Sequence, residues 1–150
     1  MKHRKRGGRR RSERGVQLVE LMIVLPVLFI MMAAIVEFGQ YFYTYSTLAK
    51  ATRSAARYLT SRAYTSTALE EAKRIAVCGN PGSCASQSTF VPGLTSAHIQ
   101  ITSTGSVNLP DRVTVRIVGY LYQPVFEFGS VSLANIEVSP STTMRFTLSN

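Results

Sequence analysis

Few residues of this 150-residue chain could carry out covalent chemistry, and their spacing narrows what that chemistry could be. Cys78 and Cys84 bracket the turn CGNPGSC. Five residues separate them, too many for a C-x-x-C redox pair, while the glycines and proline between them let the chain fold back on itself. A local Cys78 to Cys84 disulfide is the expectation, in an oxidising compartment. Metal binding would need further ligands, and the two histidines do not supply them: His98 is distant in sequence and His3 belongs to a basic N-terminal arm. The serines have no identifiable base partner, and His98 beside a candidate strand reads as an ordinary polar position. Asp111 follows Pro110 in a turn-like stretch. With no phosphate loop or nucleotide fingerprint either, neither catalysis nor a cofactor is expected.

The ionisable residue that calls for an explanation is Glu20. It stands at the mouth of LMIVLPVLFIMMAAIV, sixteen uncharged residues from Leu21 to Val36. A carboxylate drawn into hydrocarbon costs on the order of 3 kcal/mol, so such a residue is a functional candidate by default. The apolar character runs through Phe38, with Glu37 marking its outer end. Counted from Val16 to Gly39 as helix, the segment would be about 36 Å long against a hydrocarbon core of about 30 Å. It is long enough to span a bilayer. Pro26 lies inside it, either as a harmless kink or as the point where the helix bends when packed into an assembly; the sequence supports both.

Charge distribution orients this span. Eight of the seventeen basic residues lie in the first fourteen positions, opposed only by Glu13. What remains is nearly neutral, so the overall charge of +9 belongs to the arm and the body makes a poor nucleic-acid platform. The arm is expected in the cytoplasm and residues 40–150 on the far side. A removable secretory signal is disfavoured because the run passes into Ala33-Ala34-Ile35-Val36-Glu37 without A-x-A spacing.

Beyond Gly39 the helical pattern continues. Tyr41, Tyr45, Leu48, Thr52, Ala55 and Leu59 recur at three- and four-residue spacing, with Lys50, Arg53 and Arg57 on another face. Tyr41, Phe42, Tyr43 and Tyr45 also read as an interfacial aromatic belt. Thr67 with Glu70 predicts a capping box for a short helix through Val77, in which Glu70 and Arg74 face each other across one turn. From residue 97 the period changes to two. Ile99 and Ile101, then Val113, Val115 and Ile117, then Met144, Phe146 and Leu148 predict strands, with a shorter candidate at Ser130 to Val138. Leu109-Pro110-Asp111 and Pro124 mark turns or edges. The expected fold class is α+β: a long N-terminal helix packed against a small antiparallel C-terminal sheet. Free sheet edges could augment a neighbour's sheet.

Arg14-Gly15-Val16-Gln17-Leu18-Val19-Glu20 ahead of an apolar run resembles the processing site of type IV prepilins and pseudopilins. The longer string through Tyr58 is similar, more narrowly, to the TadE-like family of tight-adherence (Flp) pilus systems. The points of likeness are Glu20, Leu25-Pro26, Glu37-Phe38-Gly39 and the run Ala49, Ala51, Arg53, Ala55, Ala56, Arg57. The likeness covers about residues 12 to 60 and is only of a general kind beyond them.

The resemblance implies a basic leader at 1–15, cleavage between Gly15 and Val16 by a prepilin peptidase, and a membrane helix at 16–39. The remainder, 40–150, would be an extracytoplasmic domain with a helical stem at 40–59. Glu20, Pro26 and Glu37 become assembly candidates, with Glu20 registering a subunit against a neighbour's new amine. The implied function is that of a minor pilin or pseudopilin in the bacterial inner membrane, because the folded outer region is larger than a major subunit of this class needs. Its implied partners are the prepilin peptidase, other minor pilins and the major pilin, the inner-membrane assembly platform and the lipid bilayer, with no nucleic acid. The runner-up is a single-pass envelope adaptor that stays unassembled. A DNA receptor would need a basic surface gathered from Arg53, Arg57, Arg62 and Arg112.

Overall fold

The computed structural model describes residues 10–84, 89–106, 109–126 and 136–147, with side chains from Gly15 onward. The chain divides into two compact units, Met1–Phe38 and Gly39–Asn150. Helix α1, Arg10–Thr60, is the described part of the first unit and opens the second. Within residues 16–36 the large apolar side chains are exposed on every side, the pattern of a helix whose solvent is lipid. By length and composition this helix can cross a membrane, and it suggests single-pass anchoring.

In the second unit the same helix changes character. Leu48, Ala51, Thr52, Ala55, Ala56 and Leu59 form a buried stripe, while Lys50, Arg53 and Arg57 remain in solvent. Tyr45, placed on the stripe by its spacing, is instead exposed, and Thr44 fills the inward position of that turn. At 3.6 residues per turn Tyr45 lies roughly 60° round the helix from Leu48, at the stripe's margin, where a phenol keeps its hydroxyl in water.

Helix α2, Ser66–Cys78, packs Ala68, Ala72, Ile75 and Ala76 into the core. Its N-cap is Thr65 rather than Thr67. Thr65 has the extended backbone a cap requires, and its Oγ1 accepts the Ala68 N–H at 3.2 Å. The third helical position is then Ala68, so Glu70 lies too far along to close a capping box. Glu70 pairs with Lys73 at 2.7 Å, and not with Arg74 as its spacing suggested. Gly79 ends the helix in the left-handed region, φ 77°, and its N–H donates to the Ile75 carbonyl.

Strands β1 (Ile99–Gly105), β2 (Pro110–Ile117) and β3 (Ser141–Arg145) form an antiparallel sheet in that order. Ile99 pairs with Ile117, and Val113 pairs with both Ser103 and Met144, which leaves β2 central. Its Val113, Val115 and Ile117 are fully buried against the α1 and α2 stripes in one core. Pro110 and Asp111, expected at a turn or an edge, open the central strand β2; at the first residue of a strand a missing N–H is tolerated. Phe146 continues the ladder past β3 by donating its N–H to the Asp111 carbonyl at 2.9 Å. Leu148 and most of the candidate strand Ser130 to Val138 lie outside the described residues. The described end of that strand pairs Leu121 with Glu137, flanked by Tyr122 N–H to the Ile136 carbonyl and Val138 N–H to the Tyr120 carbonyl.

Two polar links tie α1 to the C-terminal part of this unit. Thr52, buried in the stripe, donates to the Ala49 carbonyl, so the Thr142 hydroxyl 3.0 Å away supplies the proton between them. At the end of α1 the Thr60 carbonyl accepts the Thr147 hydroxyl at 2.9 Å. The buried Thr52 hydroxyl is thereby satisfied rather than left as a penalty.

Candidate functional site

Gly15 and Val16 lie within α1, not ahead of it, and both are exposed. Gly15, Val16, Val19, Glu20 and Ile23 share one shallow, open helix face. This follows from helical spacing, since Val16, Glu20 and Ile23 recur at four and three residues. A Cβ built on Gly15 would meet nothing within 4 Å, so packing inside this chain does not demand a glycine there. Glu20 is exposed on that apolar face. Pro26 sits two turns further along inside the helix. Among the described residues from 15 to 38, Glu37 alone is buried, with 4 % of its surface exposed. The two carboxylates of this segment are therefore in opposite situations: Glu20 is presented outward and Glu37 is withdrawn.

Just beyond the apolar run, the Tyr41 ring packs edge-on against Tyr122, with centroids 5.3 Å apart. Phe42, Tyr43 and Tyr45 are exposed around the same turn. Sequence reasoning placed these α1 aromatics but missed Tyr122; its only signal was a tyrosine-rich, charge-free stretch after β2.

The other candidate groups take structural positions. Cys78 and Cys84 are joined by a disulfide, with Cα atoms 5.7 Å apart, closing the turn after α2. His98 caps its own short 3-10 turn, Ser96–His98: its Nδ1 accepts the Thr95 backbone N–H at 3.1 Å, and its ring stands edge-on to Tyr120. Asp111 is an exposed residue of β2. No group of three or more His, Cys, Asp or Glu converges as a metal site among the described residues.

One strong polar contact joins α1 to α2. The Tyr58 hydroxyl donates to Glu71 Oε2 at 2.6 Å, and the Arg62 guanidinium lies over the Tyr58 ring at 5.1 Å. The bond to a carboxylate, followed by desolvation, holds the Tyr58 phenol above its usual range. Burial alone does the same to Tyr120.

The arrangement presents a lipid-compatible helix with one outward carboxylate near its start, carried on a domain with its own core. No curated protein and no solved structure matches the chain. Residues 15–57, from the glycine through the membrane-length helix into the buried stripe, match the family model of the TadE-like proteins.

Proposed function

We propose that this chain is a minor pilin or pseudopilin that supports assembly of a tight-adherence pilus. The observation that carries this reading is the family match, which begins at Gly15 and takes in Val16, Glu20, Pro26 and Glu37. Cleavage after Gly15 frees an amine on Val16 one helical turn, about 6 Å, from Glu20. That amine and the carboxylate of a neighbouring subunit are complementary, and pairing offsets the cost of burying either one. The arm stays cytoplasmic and the 40–150 domain lies on the periplasmic side of the inner membrane. Shedding eight cations frees the helix to leave the bilayer for an assembly with other minor pilins, the major pilin and the membrane platform.

The test is the intact mass and N-terminal sequence of the protein from native membranes that contain the peptidase. The expected chain begins at Val16, and Gly15→Ala accumulates as full-length precursor. A wild-type chain still carrying its arm would overturn the maturation step and favour the unassembled single-pass adaptor.

A further inference from the structure

Alternation along β2 buries Val113, Val115 and Ile117 and turns Arg112, Thr114 and Arg116 to the other face of the sheet. The register sets Arg145 of β3 directly opposite Arg112, Thr143 opposite Thr114 and Ser141 opposite Arg116. On the other flank β1 completes the rows with Thr104, Thr102 and Gln100. All three arginines are exposed, and between them the Thr114 and Thr143 hydroxyls bond each other at 2.8 Å. The outer face is thus three guanidiniums set among hydroxyls and one amide.

Among the described residues of these strands, no carboxylate stands on that face. Asp111, though beside Arg112 in sequence, falls on the other side of β2, against Gly105. Glu137, past the end of β2, has its Oε1 engaged by the Gly119 N–H at 2.8 Å. Like charges directly opposite each other across a sheet are destabilising, so the Arg112–Arg145 pair works against the fold that carries it. An anion between the two guanidiniums reverses the sign of that contact, because each planar fork can bond it through two N–H groups. Arg116 stands four residues along β2, about 13 Å away, so a ligand that reaches all three must repeat its charge along its length.

We propose that this sheet face binds an anionic polysaccharide, a chain of uronate-type sugars whose carboxylates meet Arg112, Arg145 and Arg116. The neutral residues between the charges select this class among polyanions. Hydroxyl and amide side chains both donate and accept, which suits a ligand whose uncharged groups are themselves hydroxyls. The three rows carry no aromatic ring on which a nucleic-acid base could stack, and no apolar centre of the kind a protein partner buries. The face lies wholly within the Gly39–Asn150 unit, so this binding is independent of how the start of the chain is processed.

The test is calorimetric binding of polygalacturonate to the full-length protein in detergent, with neutral dextran as the blank. The basic arm contributes equally to every variant, so each affinity is read as a ratio to wild type. Arg112→Gln and Arg145→Gln are each expected to weaken binding about ten-fold. Arg53→Gln and Arg57→Gln, which remove exposed cations of α1, should leave it unchanged. Without the sugar, both sheet variants should melt no lower than wild type, because each relieves the repulsion; should either unfold for another reason, Arg116→Gln, with Ser141 opposite, serves in its place. Equal losses from the sheet and α1 variants, or no loss from the sheet variants, would reduce the binding to bulk charge and overturn the site. If the sheet variants weaken binding of duplex DNA or polyglutamate as strongly as that of polygalacturonate, the face takes polyanions at large and the saccharide assignment falls.

Discussion

Tyr58 shows how one side chain couples two helices to pH. Its bond to Glu71 requires the phenol proton, and the folded chain holds that proton above the usual phenol range. For a group whose folded value is raised, the stabilising contribution is complete below the unfolded value and is lost as pH rises through the folded one. Tyr58→Phe should therefore unfold at a lower temperature than wild type at neutral pH, measured on the full chain in detergent. The gap should narrow as pH climbs past the ordinary phenol range. A gap that stays constant through that range would mean that the hydroxyl's titration contributes nothing.

At the scale of elements, the start of α2 separates two threonines that the sequence leaves almost equivalent. Thr65→Ala removes an accepted backbone N–H and should cost about 1 kcal/mol. Thr67→Ala should stay within about 0.5 kcal/mol, as for an exposed position with no cap to lose. Chemical denaturation of the full chain in detergent checks both, and equal effects would contradict the cap. The ambiguity has a physical source. Hydroxyl residues occur at Thr60, Ser61, Thr65, Ser66 and Thr67, and which one caps depends on where the chain turns after α1, a tertiary matter. Elements governed by long-period patterns were legible: sixteen uncharged residues can only be helix at this length, and the alternation of Val113, Val115 and Ile117 marks the central strand. Tyr45 was misplaced because spacing gives an angle round the helix but not where the covering layer stops. The Thr52 to Thr142 bond spans ninety residues and left no local trace.

For the whole molecule, the sequence marks candidate residues by their chemistry and says nothing of a partner's surface. Glu20 stands out because a carboxylate beside an apolar run is costly, and the face it shares with Val16 and Ile23 is exposed within the chain; the proposed function gives that face to a neighbouring subunit. Under the proposed function Glu20→Ala should insert in the membrane normally while surface pili fall sharply. Removing one member of a buried pair costs about 3–5 kcal/mol by leaving the other charge uncompensated. Membrane fractionation alongside pilus counts separates the two effects, and normal piliation with Glu20→Ala would sink the role given to its carboxylate.

Gly15 lies inside α1, and under the proposed function that has a kinetic consequence for maturation. A peptidase reads extended backbone, so an enzyme cutting the Gly15–Val16 bond acts only during intervals when that turn has frayed. Glycine lowers the helix's hold by about 1 kcal/mol relative to alanine, roughly a five-fold gain in open time. Where opening and closing outpace cleavage, the maturation rate becomes a readout of local helix melting. It should then rise and fall with amide exchange at Val16 to Glu20, so that the helix itself sets how quickly a precursor becomes a subunit.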